Sequence, residues 1–156
     1  MEVTTRPGSA DDIDWIVEVT EAAAAVVRTQ RGGHLSLGKD RSFGSPEDWW
    51  AFSLADPDST TVVGEIDGVP VGFGVFRIDR LRDATQVGII DELYVLPDAR
   101  SVGVGEALIE AGLAWGDDQV IGWDATALPG DRHTKNFFES HGFKARSLTL
   151  HRSRGS

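Results

Sequence analysis

The sequence contains no cysteine, which removes disulfides, thiolate nucleophiles and cysteine-ligated zinc together. Histidine is nearly as scarce: the 4 present are scattered and form no H-E-x-x-H pair, so no metal site is assigned. Positive charge is also short, with 15 Lys and Arg against 25 Asp and Glu and a formal net charge of −10. Phosphate contact needs a basic face, so nucleic acid is not an expected partner, while a cationic amine is easier to accommodate. No apolar stretch approaches the ~18 residues of a membrane span. The start Met1-Glu2-Val3-Thr4-Thr5-Arg6-Pro7 lacks the basic cluster and apolar run of a signal peptide. The expectation is therefore a cytoplasmic protein with no membrane partner.

What remains is an ordinary globular composition. The 156 residues are 40% hydrophobic and 26% charged, enough to build a core and of a length that suits a single domain over 1–156. Residues 2–7 read as a first strand. Ser9 is placed to cap a helix whose apolar side holds Ile13, Ile16, Val17, Ala24 and Val27, with Asp11, Asp12 and Asp14 suiting its dipole. From Thr29 to Gly44 four glycines among polar residues predict a loop, and Ser45-Pro46-Glu47-Asp48 predicts the next helix start, leading into Trp49, Trp50 and Phe52. Runs 60–66 and 69–78, joined by Asp67-Gly68, predict a β-hairpin. Strand 86–95, helix 103–115 with Val104, Ala107, Leu108, Ala111 and Leu113 on its apolar side, strand 119–127, helix 131–141 and strand 147–151 follow. The order β-α-α-β-β-β-α-β-α-β is that of a mixed α/β domain.

One segment carries chemistry. Strand Leu93-Tyr94-Val95 runs through Leu96-Pro97-Asp98-Ala99 into Arg100-Ser101-Val102-Gly103-Val104-Gly105 and then a helix. A glycine-rich turn at a helix start presents unpaired backbone N–H groups, backed by the positive dipole end, to an anion the size of a pyrophosphate. It is neither the G-x-G-x-x-G of dinucleotide folds nor a Walker loop.

The segment resembles motif A of the GNAT superfamily of acyl-CoA-dependent N-acetyltransferases, in which Arg or Gln, two residues, Gly, one residue, and Gly or Ala occur in series. Arg100, Gly103 and Gly105 match, and Val95 and Pro97 fall where that pattern has its strand end and a frequent proline. Phe137-Phe138-Glu139-Ser140-His141-Gly142-Phe143 resembles the same family's second landmark. The resemblance implies acetyl-CoA as acyl donor, with the backbone of Leu93 and Val95 pairing with the pantetheine arm. It likewise implies that the amides of Ser101, Val102, Gly103, Val104 and Gly105 hold the pyrophosphate. Such an arm needs the fourth and fifth strands splayed apart. Asn136 and Lys135 face the region of the CoA phosphates and adenine in such folds, and a homodimer is compatible with the family.

Amide formation from a thioester requires a neutral amine, so a carboxylate base is expected. Strand alternation puts Glu92 and Tyr94 on one face and Asp91, Leu93 and Val95 on the other. With Leu93 and Val95 in the core, Glu92 is the base candidate. Where many family members have Tyr as general acid, this chain has Phe138, which donates no proton. Tyr94, the sole tyrosine, and His133 are the other donors weighed. Direct attack by the amine without an acyl-enzyme is expected, since there is no cysteine to carry one. The acceptor is a small-molecule or peptide amine, with His34, Asp40, Trp49 and Trp50 as pocket candidates. A non-catalytic acyl-CoA sensing domain is the alternative that Phe138 sustains. A transferase on aminoacyl-tRNA is disfavoured by the charge unless Arg77, Arg80 and Arg82 gather on one face.

Overall fold

The computed structural model describes residues 1–27, 29, 45–128 and 131–155. Most of the expected glycine-rich loop, with His34 and Asp40, lies outside the described residues. The elements in chain order are β1 (Val3–Pro7), α1 (Ile13–Val27), α2 (Pro46–Ala55), β2 (Ser59–Ile66), β3 (Val69–Arg80), β4 (Gln86–Val95), α3 (Val104–Gly116), β5 (Trp123–Ala125) and α4 (Arg132–Ser140). The strands form one mixed sheet in the order β1-β2-β3-β4-β5. The first four are antiparallel neighbours, and β5 runs parallel to β4 after the crossover through α3.

Local chemistry explains most boundaries. Asp67 (φ 50°) and Gly68 (φ 80°) both take left-handed backbone, the pair of conformations that a tight hairpin between twisted strands needs. Ser45 accepts a hydrogen bond from the Asp48 amide at 3.1 Å and Pro46 opens α2, so the cap and the proline act together. Ahead of α1, the Ser9 amide donates to the Asp12 carboxylate at 2.9 Å across a short 3-10 turn, Ala10–Asp12. That carboxylate also takes two bonds from the Arg6 guanidinium, at 2.8 and 2.9 Å, while Arg6 Nε reaches Glu65 at 3.1 Å. β1, β2 and the start of α1 are thereby pinned to one another. The Arg6 hydrogen bond holds the Asp12 carboxyl below the usual carboxylate range.

The sheet carries a separate core on each face. On one side Val62, Phe76 and Ile90 pack under Val104, Leu108 and Ile109 of α3 and Phe138 of α4. Here α3 lies so close that a Cβ on Gly112 would stand 2.1 Å from the Phe76 ring. The glycine is a packing residue, and burying that ring contributes roughly 1.5–3 kcal/mol. On the other side Ile16, Val17 and Val19 of α1 and Trp50 of α2 cover Phe73 and Val75. Trp50 meets Phe73 edge to face at 5.7 Å, and Trp15 does so at 6.2 Å.

Two strand irregularities break the alternation. Gly64 pairs with Gly72 and Glu65 with Pro70, leaving Val71 extra; Val75 pairs with Glu92 and Phe76 with Ile90, leaving Asp91 extra. Each is a β-bulge that bends and twists its strand.

Two strand expectations are corrected. The stretch 119–127 forms a strand only over Trp123–Ala125, preceded by a 3-10 turn, Asp117–Gln119. Its start is nevertheless tied to β4, since the Ile121 amide donates to Gln86 O at 2.8 Å and the Gly88 amide to Gly122 O at 2.9 Å. Residues 147–151 form no strand, and Leu148 and Leu150 are 87% and 91% exposed. A strand exists only through its neighbour, and among the described residues this segment has none. No helix among the described residues is long and apolar enough to cross a membrane.

Candidate functional site

β4 and β5 share only three register pairs, Gly88 with Trp123, Ile89 with Asp124 and Ile90 with Ala125. β4 runs on to Val95 with no strand beside it on that edge among the described residues, so the sheet opens into a wedge. The Leu96 amide donates to Val71 O at 2.8 Å, toward β3. Residues in phase with it, Tyr94 and Glu92, therefore turn their backbone groups to β3, and those of Leu93 and Val95 turn into the wedge. The Val95 carbonyl there accepts from Arg100 Nε at 2.9 Å.

At the mouth of the wedge the chain turns sharply into α3. Ser101 (φ 68°) and Gly103 (φ 96°) are both left-handed, and the first helical bond runs from the Ala107 amide to Gly103 O at 3.1 Å. The amides of Val104, Gly105 and Glu106 thus precede any helical acceptor and sit at the positive end of the helix dipole. Beside the Gly103 Cα nothing approaches within 4 Å of a would-be Cβ, so glycine is required there for its φ and leaves the space in front open. A Cβ on Gly105 would stand 3.2 Å from the Phe137 ring, so that glycine lets α4 close against the turn. An extended polar edge leading to a cluster of free amides fits a long thioester arm ending in a pyrophosphate. The backbone of Leu93 and Val95 lines the wedge, and Arg100 to Gly105 form the turn at its mouth.

The carboxylates are arranged differently from strict alternation. The bulge places Asp91 on the side of Arg77, whose Nε donates to Asp91 at 2.7 Å and whose guanidinium also pairs with Asp79. Asp91 does not share a face with Leu93 and Val95, which pack toward α3. Glu92, opposite Val75, and Tyr94, opposite Phe73, lie on the α1/α2 side of the sheet. Of the cationic patch considered in the sequence, Arg77 is committed to carboxylates. Tyr94 packs with Leu96 against the Trp50 and Phe73 cluster, and the Arg100 guanidinium lies 5.5 Å from its ring centre. That distance is within reach of a cation–π contact.

Phe138, the position where many family members have Tyr, is buried in the α3 core with Phe143 at 5.2 Å. A hydroxyl there would need a buried partner. Asn136, Lys135 and His133 are exposed on α4, and Lys135 pairs with Glu139 at 2.8 Å. Trp50 is a core residue at 3% exposure, while Trp49 stands against it edge to face at 4.7 Å and is half-buried. Phe137 and Arg77 were not singled out for the site by the sequence. Phe137 stood in view beside Phe138, whereas nothing in the pattern signals that a bulge brings Asp91 to Arg77.

Comparison with known proteins agrees with this geometry. The Acetyltransferase (GNAT) family matches residues 24–143. Comparison with curated proteins gives no match. Among solved structures, ribosomal-protein-alanine N-acetyltransferase from Brucella melitensis biovar Abortus 2308 is 17% identical with a TM-score of 0.70, covering 99% of this chain and 100% of its own. An aminoglycoside acetyltransferase from an uncultured soil metagenomic sample, in complex with sisomicin, is 15% identical with a TM-score of 0.70, over 99% and 96% of the two chains. AAC(6')-Iy, in complex with the bisubstrate analog CoA-S-monomethyl-acetylneamine, is 19% identical with a TM-score of 0.71, over 99% of both. These structures share the fold of this chain. With the family matched over most of its length and the strand wedge and helix-start turn in place, the chain belongs to the GNAT acetyltransferase family and is an acyl-CoA-dependent N-acetyltransferase.

Proposed function

We propose that the chain, acting as one domain, moves the acetyl group of acetyl-CoA to a primary amine on a small molecule or a peptide, by direct attack. The observation that carries this reading is the wedge between β4 and β5 ending at the free amides of the α3 start. Leu93 and Val95 offer backbone groups to the pantetheine arm, and the amides from Ser101 to Gly105 receive the pyrophosphate. Asn136 is an exposed contact for the phosphates or adenine. When bound, the thioester supplies the activated acyl carbon.

This chain's own residues supply position and proton movement. Glu92 takes the proton of the attacking amine, directly or through a water, so that the nitrogen lone pair is available to form the new C–N bond as the C–S bond breaks. Tyr94, on the same face, is the protein hydroxyl in reach of that region to return a proton to the leaving thiolate, because Phe138 has none to give. Holding both reactants in line supplies much of the rate. The formal charge of −10 favours a cationic acceptor. One neighbour is an aminoglycoside acetyltransferase in complex with sisomicin and another is in complex with the bisubstrate analog CoA-S-monomethyl-acetylneamine, which supports a small-molecule amine over a nucleic acid.

The test is calorimetric titration with acetyl-CoA, followed by thiol release against a panel of aminoglycosides, polyamines and basic peptides. Binding with acceptor-dependent release is expected. Binding with no release from any amine of the panel would favour an acyl-CoA sensor or an acceptor outside the panel, and absence of binding would overturn the site.

A further inference from the structure

The wedge between β4 and β5 has a vertex, and one side chain fills it. β5 and the residues leading into it are tied to β4 at that end. The Ile121 amide donates to Gln86 O at 2.8 Å, the Gly88 amide to Gly122 O at 2.9 Å, and the Gln86 side-chain amide to Gln119 O at 2.9 Å. The register stops at Ile90 opposite Ala125, one residue before the bulge at Asp91. Beyond that pair the strands diverge, so the width of the opening depends on how β5 is seated between Gln86 and Ile90.

The seat is built around Trp123. Its six-membered ring lies between β4 and the end of α3 at two positions that carry no side chain: a Cβ on Gly88 would collide with the ring, and one on Gly116 would stand 2.9 Å from it. Both glycines are buried and neither takes left-handed backbone, so what each supplies is room for the indole. Phe76 meets the indole edge to face at 6.2 Å, and Nε1 donates to the Asp117 carboxylate at 2.8 Å, which fixes the rotation of the ring as well as its depth. Trp123 is also the residue paired with Gly88, the first pair of the β4–β5 ladder. One side chain thus spaces both strands of the wedge against the helix whose start offers its amides.

We propose that Trp123 is a positioning residue for the acetyl-CoA arm: seated between Gly88 and Gly116, it sets the separation of β5 from β4 at the vertex and thereby the width of the wedge at Leu93 and Val95. A smaller side chain lets β5 settle inward, and a side chain at Gly88 drives the ring and β5 outward. Either change misplaces one wall of the wedge against the other, while the turn from Arg100 to Gly105 stays on β4 and α3.

This role rests on the wedge being the acetyl-CoA site, and the experiment separates the two. Acetyl-CoA affinity is measured by calorimetry for the unmodified chain and for Trp123→Leu, Trp123→Phe and Gly88→Ala, at a temperature where circular dichroism shows each folded. Trp123→Leu and Gly88→Ala should each weaken acetyl-CoA about 10-fold, the scale of one lost hydrogen bond, and Trp123→Phe, which keeps a ring in the slot, should recover most of the loss. Asp117→Ala, at an exposed position, frees the indole without emptying the slot and serves should the larger changes not fold; it should weaken acetyl-CoA about 3-fold. The same chains are titrated with adenosine 3′-phosphate 5′-diphosphate, which carries the phosphates and lacks the arm, and its affinity should change less than about 2-fold. An equal loss for both ligands, or a lower melting temperature with acetyl-CoA affinity unchanged, would make Trp123 a packing residue alone and overturn the proposal. No acetyl-CoA binding by the unmodified chain would instead remove the site itself, and the role of Trp123 with it.

Discussion

The two faces of the sheet solve different problems with different residues. The face under α3 is close: aliphatic side chains of α3 lie over the Phe76 ring set against Gly112, with Phe138, Phe143 and Trp123 beside it, and no ion pair among its core residues. The face under α1 and α2 is built from aromatic edges, Trp15, Trp50 and Phe73, and it is threaded with polar groups: Arg6 with Asp12, Arg77 with Asp79 and Asp91, Thr61, and the Glu92 carboxylate. A helix that must offer its first amides to a ligand has to be held at a fixed height and angle, which close packing achieves. The proposed proton transfer at Glu92 needs charged groups kept partly solvated, and the ion pairs along this face are part-exposed. The strand β4 belongs to both faces, and the proposed site lies where they meet.

Breaking each face separately sharpens the contrast. Phe76→Ala, which empties the pocket against Gly112, is expected to cost about 4 kcal/mol of stability in urea unfolding and to weaken acetyl-CoA binding with it, because the α3 start loses its support. Gly103→Glu attacks the same side at the ligand itself: a side chain at left-handed φ and a negative charge face the phosphates. Acetyl-CoA affinity should fall at least about 100-fold in a chain that still folds, read by calorimetry.

On the opposite face, Glu92→Gln should lower kcat about 100-fold near neutral pH and less at high pH, where the amine loses its proton unaided, with acetyl-CoA affinity unchanged. An equal loss at every pH would remove Glu92 from the chemistry. Asp12→Asn should cost about 2 kcal/mol, the range for a hydrogen bond to a charged group. Asp12 is depressed in the folded state by Arg6, so its contribution is present above the unfolded value of about 4 and is lost as pH falls through the folded value. Acid unfolding below about pH 4 should therefore be shallower in the variant. The smallest effect is expected at Thr61, 3% exposed and with an Oγ1 that meets no hydrogen-bond partner: Thr61→Val should be neutral or stabilise by up to about 1 kcal/mol in thermal melts.

Much of this was legible where short-range chemistry decides. Asp67-Gly68 signalled its hairpin, Ser45-Pro46 its helix, and the Arg100-to-Gly105 series its turn, because each depends on residues adjacent in sequence. What escaped depends on partners far along the chain. Gly112 reads as a weak helix residue until Phe76 is set against it, and 36 residues separate the two. Ile109 was absent from the expected apolar side of α3, yet it is fully buried. The alternation that assigned Asp91 a face failed because a bulge is a property of the pairing of two strands. The strand expected at 147–151 had the composition and not the neighbour.

The extra residue at Asp91 also constrains how this chain can change. Upstream of it the odd-numbered residues of β4 share a side with Arg77, and downstream the even-numbered ones share a side with Phe73. The strand therefore has a frame with one fixed shift in it. Substitutions between Ile90 and Val95 alter a single side chain, but an insertion or deletion of one residue there would exchange Leu93 and Val95 with Glu92 and Tyr94. The apolar support of α3 and the carboxylate would change sides in the same event, so variation in length belongs in the loops and not in this strand.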